Sequence, residues 1–327
     1  MWVEDHRMKV LVTGGAGFIG SHIVDRLRER GMDVGVLDNF STGDAANLKG
    51  HSRGIAIHKV DIRDGEAVAK VVRGYDAVVH QAALVSVARS VEDPALVNQV
   101  NVWGTLNLLI AAVDAKVKRF VYASSSSAYG DTKTLPKVES MAAVPSSPYG
   151  VSKLAAENYC SVFARVYGLK TVSLRYFNVY GPRQKGGFYS GVIPTFIKRA
   201  MDDKAPVIYG DGLQTRDFTF VEDVVQANLL ALESGSVKGG EVYNVAAGST
   251  ITVNELASTI TTLVGKPNLV PEYVAPRKGD IRASYADISK ARRELRYRPK
   301  YTLWAGLRET ISAMPTADKP VPRGPRV

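Results

Sequence analysis

Cysteine is nearly absent: Cys160 is the only one in 327 residues. That excludes an internal disulfide framework and suits a reducing compartment. With no ligand cluster or motif around it, Cys160 reads as a small buried apolar residue, not a nucleophile. Uninterrupted apolar runs are also scarce. The N-terminal MWVEDHRMKV has charge where a signal peptide needs an apolar stretch. The longest apolar candidate, LVNQVNVWGTLNLLIAAVDA, is broken by Asn98, Gln99, Asn101 and Asn107. Amides at that density predict a long helix buried against protein rather than a membrane span. A cytoplasmic protein without a membrane partner is expected.

Acidic residues are outnumbered, 32 against 42 basic ones, for a net charge of +10. Such a balance invites a nucleic-acid reading. The basic residues, however, cluster late, in RKGDIRASYADISKARRELRYRPK and DKPVPRGPRV, with no stacking-aromatic motif and no zinc spacing beside them. A solvated basic face, or a site for a smaller phosphate ligand, fits better. Neither a nucleic-acid partner nor a metal is expected.

What is present is a repeating pattern. MKVLVTG, DVGVLD, GIAIHKV, DAVVHQA, RFVYAS and KTVSLRY are short, apolar and rich in β-branched residues. Between them lie stretches with apolar residues at helical spacing, several ending at glycine, such as FIGSHIVDRLRERG and PYGVSKLAAENYCSVFARVYG. Strand and helix in alternation predict an α/β fold, a doubly wound parallel sheet covered by helices on both faces. After about residue 180 the pattern loosens into a smaller α/β lobe. The predicted division is 1–180 for a nucleotide-binding domain, completed by about 212–250, with 181–211 and 251–315 forming the substrate lobe. The proline-containing tail, 316–327, is expected to be disordered.

MKVLVTGGAGFIG places Gly14, Gly17 and Gly20 after a strand and at a helix start. The turn needs a residue without Cβ, a pyrophosphate needs close backbone approach, and the helix N-terminus offers N–H groups to an anion. The second strand ends in Asp38, where a carboxylate can accept both ribose hydroxyls. That carboxylate repels a 2′-phosphate, and Asn39 rather than an arginine follows, so NAD is favoured over NADP. Asp61 has two readings, a contact to adenine or a cap for the helix near RDGEAV.

In SSPYGVSK, Ser147 and Pro148 make a helix start, and Tyr149 and Lys153 then share one face four residues apart. A free tyrosine, with a pKa of about 10, is a poor base. Bringing it near 7 takes roughly 4 kcal/mol of preferential phenolate stabilisation. Lys153, the helix N-terminus and a cationic nicotinamide ring are expected to supply that together.

Taken jointly, TGGAGFIG, NVWGT, YASSSSAYGD, YGVSK, RYFNVYGPRQ, TRDFTFVEDV and RKGDIRASYADISKA cover nearly the whole chain. In them the sequence resembles the extended short-chain dehydrogenases/reductases, specifically the NAD-dependent sugar-nucleotide epimerase/dehydratase family with its Rossmann domain. Within that family it is most similar to UDP-N-acetylglucosamine/UDP-glucose 4-epimerases. The resemblance implies Ser125, four residues before Tyr129, as the catalytic hydroxyl acting with Tyr149 and Lys153. Related 4,6-dehydratases carry Asp and Glu at the next two positions. Ser126 and Ser127 stand there instead, so elimination lacks its acid and base. Oxidation at C4 and return of the hydride to the opposite face remain. For NAD the resemblance implies Gly14, Gly17, Phe18, Ile19, Gly20, Asp38, Asn39, Asp61, Ile62, Gln81, Ala82, Ala83, Asn101, Tyr149, Lys153 and Tyr176.

For a UDP-sugar it implies Ser86, Ser125, Ser126 and Val192, with Asn178 at the diphosphate. Arg216, Arg277 and Asp280 would hold the diphosphate and uridine ribose. Tyr209 is either a uracil-packing residue or a core tyrosine. Ser284 would lie near C2 of the sugar, where a small side chain leaves room for an N-acetyl group. Val85, standing where some relatives have glycine, bears on the same pocket. A UDP-glucuronate 4-epimerase or decarboxylase is the alternative, with Arg183 and Lys185 as candidates for the sugar carboxylate. A non-catalytic dinucleotide sensor would lack the Tyr/Lys pair. The helices around 94–114 and 149–167 match the family's dimer-forming pair, so a homodimer through a four-helix bundle is expected.

Overall fold

A computed structural model describes residues 7–51, 54–185, 191–276 and 282–314. The expected tail and the candidate residues Arg277 and Asp280 lie outside these. The six apolar runs become strands β1 (Lys9–Thr13), β2 (Asp33–Leu37), β3 (Ile55–His58), β4 (Ala77–His80), β5 (Arg119–Ser125) and β6 (Thr171–Tyr176), and a later strand, β7 (Glu241–Val245), joins them. They form one parallel sheet in the order β7-β6-β5-β4-β1-β2-β3. Side chains alternate faces along each strand. Val10 and Val12 of β1 therefore enter one core, with Ile23 and Leu27 of helix α1 (Phe18–Glu29), while Leu11 enters the other. That second core holds Val68 of α2 (Gly65–Val72), Leu108 of α3 (Gly104–Asp114), and Ala156 and Cys160 of α4 (Pro148–Tyr167). Burial of both faces is why these strands are continuous apolar runs.

The 94–114 stretch is not one uniform α-helix. Gln99–Trp103 forms a wider π-helical turn between Pro94–Asn98 and α3. Its mean hydropathy of 1.3 would suit a membrane helix, yet half of the window is buried in protein. The amides explain the sequence's composition. Asn107 Nδ2 donates to the carbonyls of Ile62 and Arg63 at 3.0 and 3.1 Å, and Asn101 is wholly buried in hydrogen bonds.

A third core, with Phe196, Phe220, Leu256, Ile260 and Leu307, supports the C-terminal lobe. There Thr215–Arg216 pairs antiparallel with Ile251–Thr252 and parallel with Ala283–Ser284. In the main sheet the chain order reverses between β1 and β4. A crevice opens at such a reversal, beyond the carboxyl ends of the strands, and the candidate residues gather there.

Candidate active site

The β1–α1 turn forms one wall of a cleft of about 730 Å³. Gly14 has φ of +66°, and a Cβ on it would meet the Ala82 nitrogen at 2.6 Å; one on Gly20 would meet the Gly14 carbonyl at 2.2 Å. No side chain caps α1 at Gly17, so its first-turn N–H groups face the cleft, which Phe18, Ile19 and Gly20 also line. Asp38 is 7% exposed; one carboxylate oxygen accepts from the Ala16 N–H at 3.0 Å and the other from Phe40 at 2.8 Å. Each oxygen retains acceptor capacity for a diol. A tight glycine cradle, an uncapped helix N-terminus and a fixed carboxylate together fit a dinucleotide.

Asn39 and Asp61 meet further along this wall. Asp61 accepts from Asn39 Nδ2 at 3.0 Å and from Arg63 Nε and Nη2 at 3.0 and 2.8 Å. The Arg63 guanidinium holds its carboxyl well below the usual range. The capping reading of Asp61 is corrected: the α2 cap is Asp64, which accepts from Ala67 N–H at 3.0 Å. Ile62, Gln81, Ala82, Ala83 and Tyr176 line the cleft. Asn101 does not. Both its amide N–H groups are taken, by the Leu84 carbonyl and Ser152 Oγ, which sets it behind the wall where a cofactor contact was expected.

Ser125 ends β5, and its Oγ accepts from the Ser127 N–H at 3.1 Å, starting the turn Ser126–Tyr129. Ser147 caps α4 by accepting from Gly150 N–H at 3.1 Å, with Pro148 in the first turn, as the sequence predicts. Gly150 lets the helix approach the serine turn, since a Cβ would meet the Ser127 carbonyl at 2.7 Å. Ser125 and Tyr149 are thereby brought to one side of the cleft, with Ser125 close enough to act on the Tyr149 hydroxyl. Lys153 points its Nζ at the Ala123 carbonyl, 2.8 Å away, and lies 5.2 Å from the Tyr122 ring centre.

The electrostatics differ from expectation. Burial pushes Tyr149 up to about 12, with Ser125 pulling weakly the other way, and burial brings Lys153 down to about 7. Desolvation penalises both charged forms, and it is the largest cause of each shift.

Sequence reasoning missed the layer behind these groups. Glu157 is one turn beyond Lys153; it accepts from Arg175 Nη2 and Nε at 2.6 and 3.0 Å and from Ser124 Oγ at 2.6 Å. Only its spacing from Lys153 could have signalled it. Asn228, on the helix Val221–Glu233, accepts from Gln81 Nε2 at 3.1 Å and donates to the Tyr176 hydroxyl at 2.8 Å. No local motif marks it.

Of the substrate candidates, Ser125, Ser126 and Asn178 line the cleft, as does Val85, which is 68% exposed. Asn178 adopts φ of +31° and donates to the Asp217 carbonyl at 2.9 Å. Ser86, Val192, Tyr209, Arg216 and Ser284 do not line it. Ser86 caps the helix Val87–Glu92, Val192 opens the helix Val192–Met201, and Tyr209 ends the strand Val207–Tyr209. Ser284 and Arg216 are register partners in the second lobe. Arg183 pairs with Asp25 at 2.7 Å and donates to Ser21 Oγ, while Lys185 donates to the Thr42 carbonyl at 3.0 Å.

Residues 10–246 match the profile of the NAD-dependent epimerase/dehydratase family. A UDP-glucose 4-epimerase of Mycolicibacterium smegmatis is 39% identical over 308 residues, 93% of this chain and 97% of that one. The solved UDP-glucose 4-epimerase of Thermotoga maritima with UDP-glucose is 42% identical, with a TM-score of 0.89 over 94% of this chain and 98% of that chain. A UDP-N-acetylglucosamine 4-epimerase of Methanobrevibacter ruminantium, in complex with UDP-N-acetylmuramic acid, gives the same score and coverage at 40% identity. The chain belongs to the NAD-dependent epimerase/dehydratase family of extended short-chain dehydrogenases/reductases, and its cofactor is NAD.

Proposed function

We propose that the protein is a UDP-hexose 4-epimerase that interconverts UDP-GlcNAc with UDP-GalNAc and UDP-glucose with UDP-galactose through a 4-keto intermediate. The observation that carries this reading is the meeting of Ser125, Tyr149 and Lys153 in one cleft beside the nucleotide-binding turn, with Ser126 and Ser127, and no carboxylate, directly after Ser125. Ser125 binds the C4 hydroxyl, and Tyr149 removes its proton. NAD, which the Gly14–Gly20 turn and Asp38 would hold, would supply the acceptor for the C4 hydride and, while cationic, would favour the phenolate of Tyr149. Tyr149 gives the proton back once the sugar has turned over. Gln81 and Tyr176, tied together from behind by Asn228, line the cleft and would offer polar contacts to the cofactor.

Acceptance of the acetyl group rests on Ser284, a small residue whose register neighbour Arg216 belongs to the diphosphate set. Tyr209 would face the uracil, with Arg277 joining Arg216 on the diphosphate and Asp280 on the ribose. The glucuronate alternative would draw on Arg183 and Lys185, which line the cleft, although Arg183 already pairs with Asp25 and Lys185 bonds the Thr42 carbonyl. Residues 1–180, completed by about 212–250, would serve the cofactor, apart from Arg216, which pairs into the second lobe; 181–211 with 251–315 would serve the nucleotide sugar. We further infer a cytoplasmic homodimer joined through the 94–114 and 149–167 helices, where Trp103, Ile110, Val151, Val162 and Val166 are exposed.

Purified protein, without added NAD, is incubated separately with UDP-GlcNAc, UDP-glucose and UDP-glucuronate, and the anomeric protons are followed by NMR. Formation of UDP-GalNAc and UDP-galactose is expected. Conversion of UDP-glucuronate alone would transfer the assignment to the alternative, and no conversion even with NAD added would end it.

A further inference from the structure

His80 closes β4 at the reversal of the sheet, is 1% exposed, and is not among the residues lining the cleft. Its two ring nitrogens each meet one threonine hydroxyl. Nδ1 is 2.6 Å from Thr13 Oγ1, and Nε2 is 2.9 Å from Thr105 Oγ1. The hydroxyls fix the proton. Thr105 Oγ1 donates to the Asn101 carbonyl at 2.6 Å, so only its lone pairs are left for His80, and Nε2 must carry hydrogen. Thr13 Oγ1 accepts from the Ala82 N–H at 3.3 Å, which leaves its own hydrogen for Nδ1. A neutral ring protonated on Nε2 satisfies every group. A charged ring would donate to Thr13 as well and leave that hydroxyl's own hydrogen without the Nδ1 acceptor. Phe120 and Tyr122 wall the ring, at 5.9 and 5.7 Å between centres. Burial first, and then the Lys153 ammonium, lower His80 to about 3.

The chain of bonds runs on in both directions. Ala82 packs against Gly14, where even a methyl group would collide. At the other end, Asn101 Nδ2 donates to Ser152 Oγ at 3.0 Å, and Ser152 Oγ donates to the carbonyl of Tyr149 at 2.8 Å. The Asn101 amide also grips the Leu84 backbone, accepting its N–H at 2.8 Å. His80 therefore links the end of β1, beside the nucleotide-binding turn, through Thr105, Asn101 and Ser152 to the helix bearing Tyr149, by bonds that each have a defined donor.

We propose that His80 is a positioning residue: as a neutral ring with its proton on Nε2, it holds the nucleotide-binding turn and the Tyr149 helix at the spacing that catalysis needs. This rests on the proposed role of Tyr149. A neutral imidazole does so where a lysine or carboxylate could not, because it offers one donor and one acceptor on opposite sides without burying a charge beside Lys153.

The test has two arms. In the holoenzyme labelled with 15N-histidine, NMR should show His80 protonated on Nε2 and not titrating between about pH 6 and 8.5. A Nδ1–H tautomer or a titrating ring overturns the proposal, whatever the enzyme's substrate proves to be. In kinetics, His80→Phe keeps the ring shape and loses both bonds. Its kcat should fall about tenfold or more with KM for the sugar nucleotide changed less than about twofold, because a misplaced reacting group costs rate rather than substrate binding. His80→Gln, which keeps a donor toward Thr105, should recover part of the loss. An unchanged kcat in His80→Phe, or a loss confined to KM, overturns the proposal. Should His80→Phe fail to fold, the NMR of the unaltered protein decides.

Discussion

Lys153 Nζ donates to the Ala123 carbonyl at 2.8 Å, which anchors the Tyr149 helix to the strand that ends in Ser125. Of the three expected sources of phenolate stabilisation, the lysine is thus partly spent on the backbone. Burial sets Tyr149 at about 12 and Lys153 at about 7. A buried phenol of this kind reaches the neutral range only when a positive charge is placed beside it.

Tyr149→Phe should lower kcat by about 10² to 10⁴, the range for removing a positioned acid/base, with KM little changed. Ser125→Ala should cost about tenfold to 10³ in kcat and keep NAD bound. Steady-state rates together with cofactor content measure both. Near-normal turnover in Tyr149→Phe would remove the tyrosine from the chemistry.

Lys153 has a testable linkage to stability. Its folded value of about 7 lies below the ordinary lysine value of 10.5. The folded form therefore binds fewer protons between those limits, and stability rises with pH across that window. Below pH 7 both states are protonated and the full burial penalty applies. In NAD-stripped protein, Lys153→Met should raise Tm relative to the parent more at pH 6 than at pH 10. An equal difference at both pH values would contradict a desolvated lysine.

The Glu157–Arg175 pair is almost wholly buried, at 4% and 5% side-chain exposure. Arg175→Met leaves the carboxylate with Ser124 as its remaining side-chain donor and should cost about 3–5 kcal/mol. Replacing both residues with apolar ones should recover much of that. Denaturant midpoints read both effects. A single variant as stable as the parent would mean that Glu157 takes up its proton or water reaches it.

Ser284→Tyr should reduce conversion of UDP-GlcNAc by about tenfold or more and leave UDP-glucose within about threefold, because a clash with an acetyl group costs more than 1.4 kcal/mol. Competition assays with both substrates give the ratio directly. An unchanged ratio would place the acetyl group elsewhere.

The sequence by itself determined what depends on near neighbours. Gly14, Gly17 and Gly20 after an apolar strand, Asp38 at the end of the next, and Ser147-Pro148 before Tyr149 and Lys153 all act within one turn or one element. Their spacing fixes which side chains share a face. The two-sided burial of Val10, Leu11 and Val12 was legible for the same reason. Tertiary structure alone decided the partners. Glu157 meets Arg175 from 18 residues away, Asn228 meets Tyr176 from 52, and Gln81 meets Tyr176 from 95. Such pairings follow from the order and register of the parallel strands, which no local pattern contains. The sequence offered Asp61 as a possible helix cap, whereas the helix starts at Gly65 and Asp64, directly before it, is the cap. Nor could the sequence foresee the opposed shifts of Tyr149 and Lys153. The helix spacing brings them together, but only the packed sheet and helix strip away their water, and desolvation sets the sign.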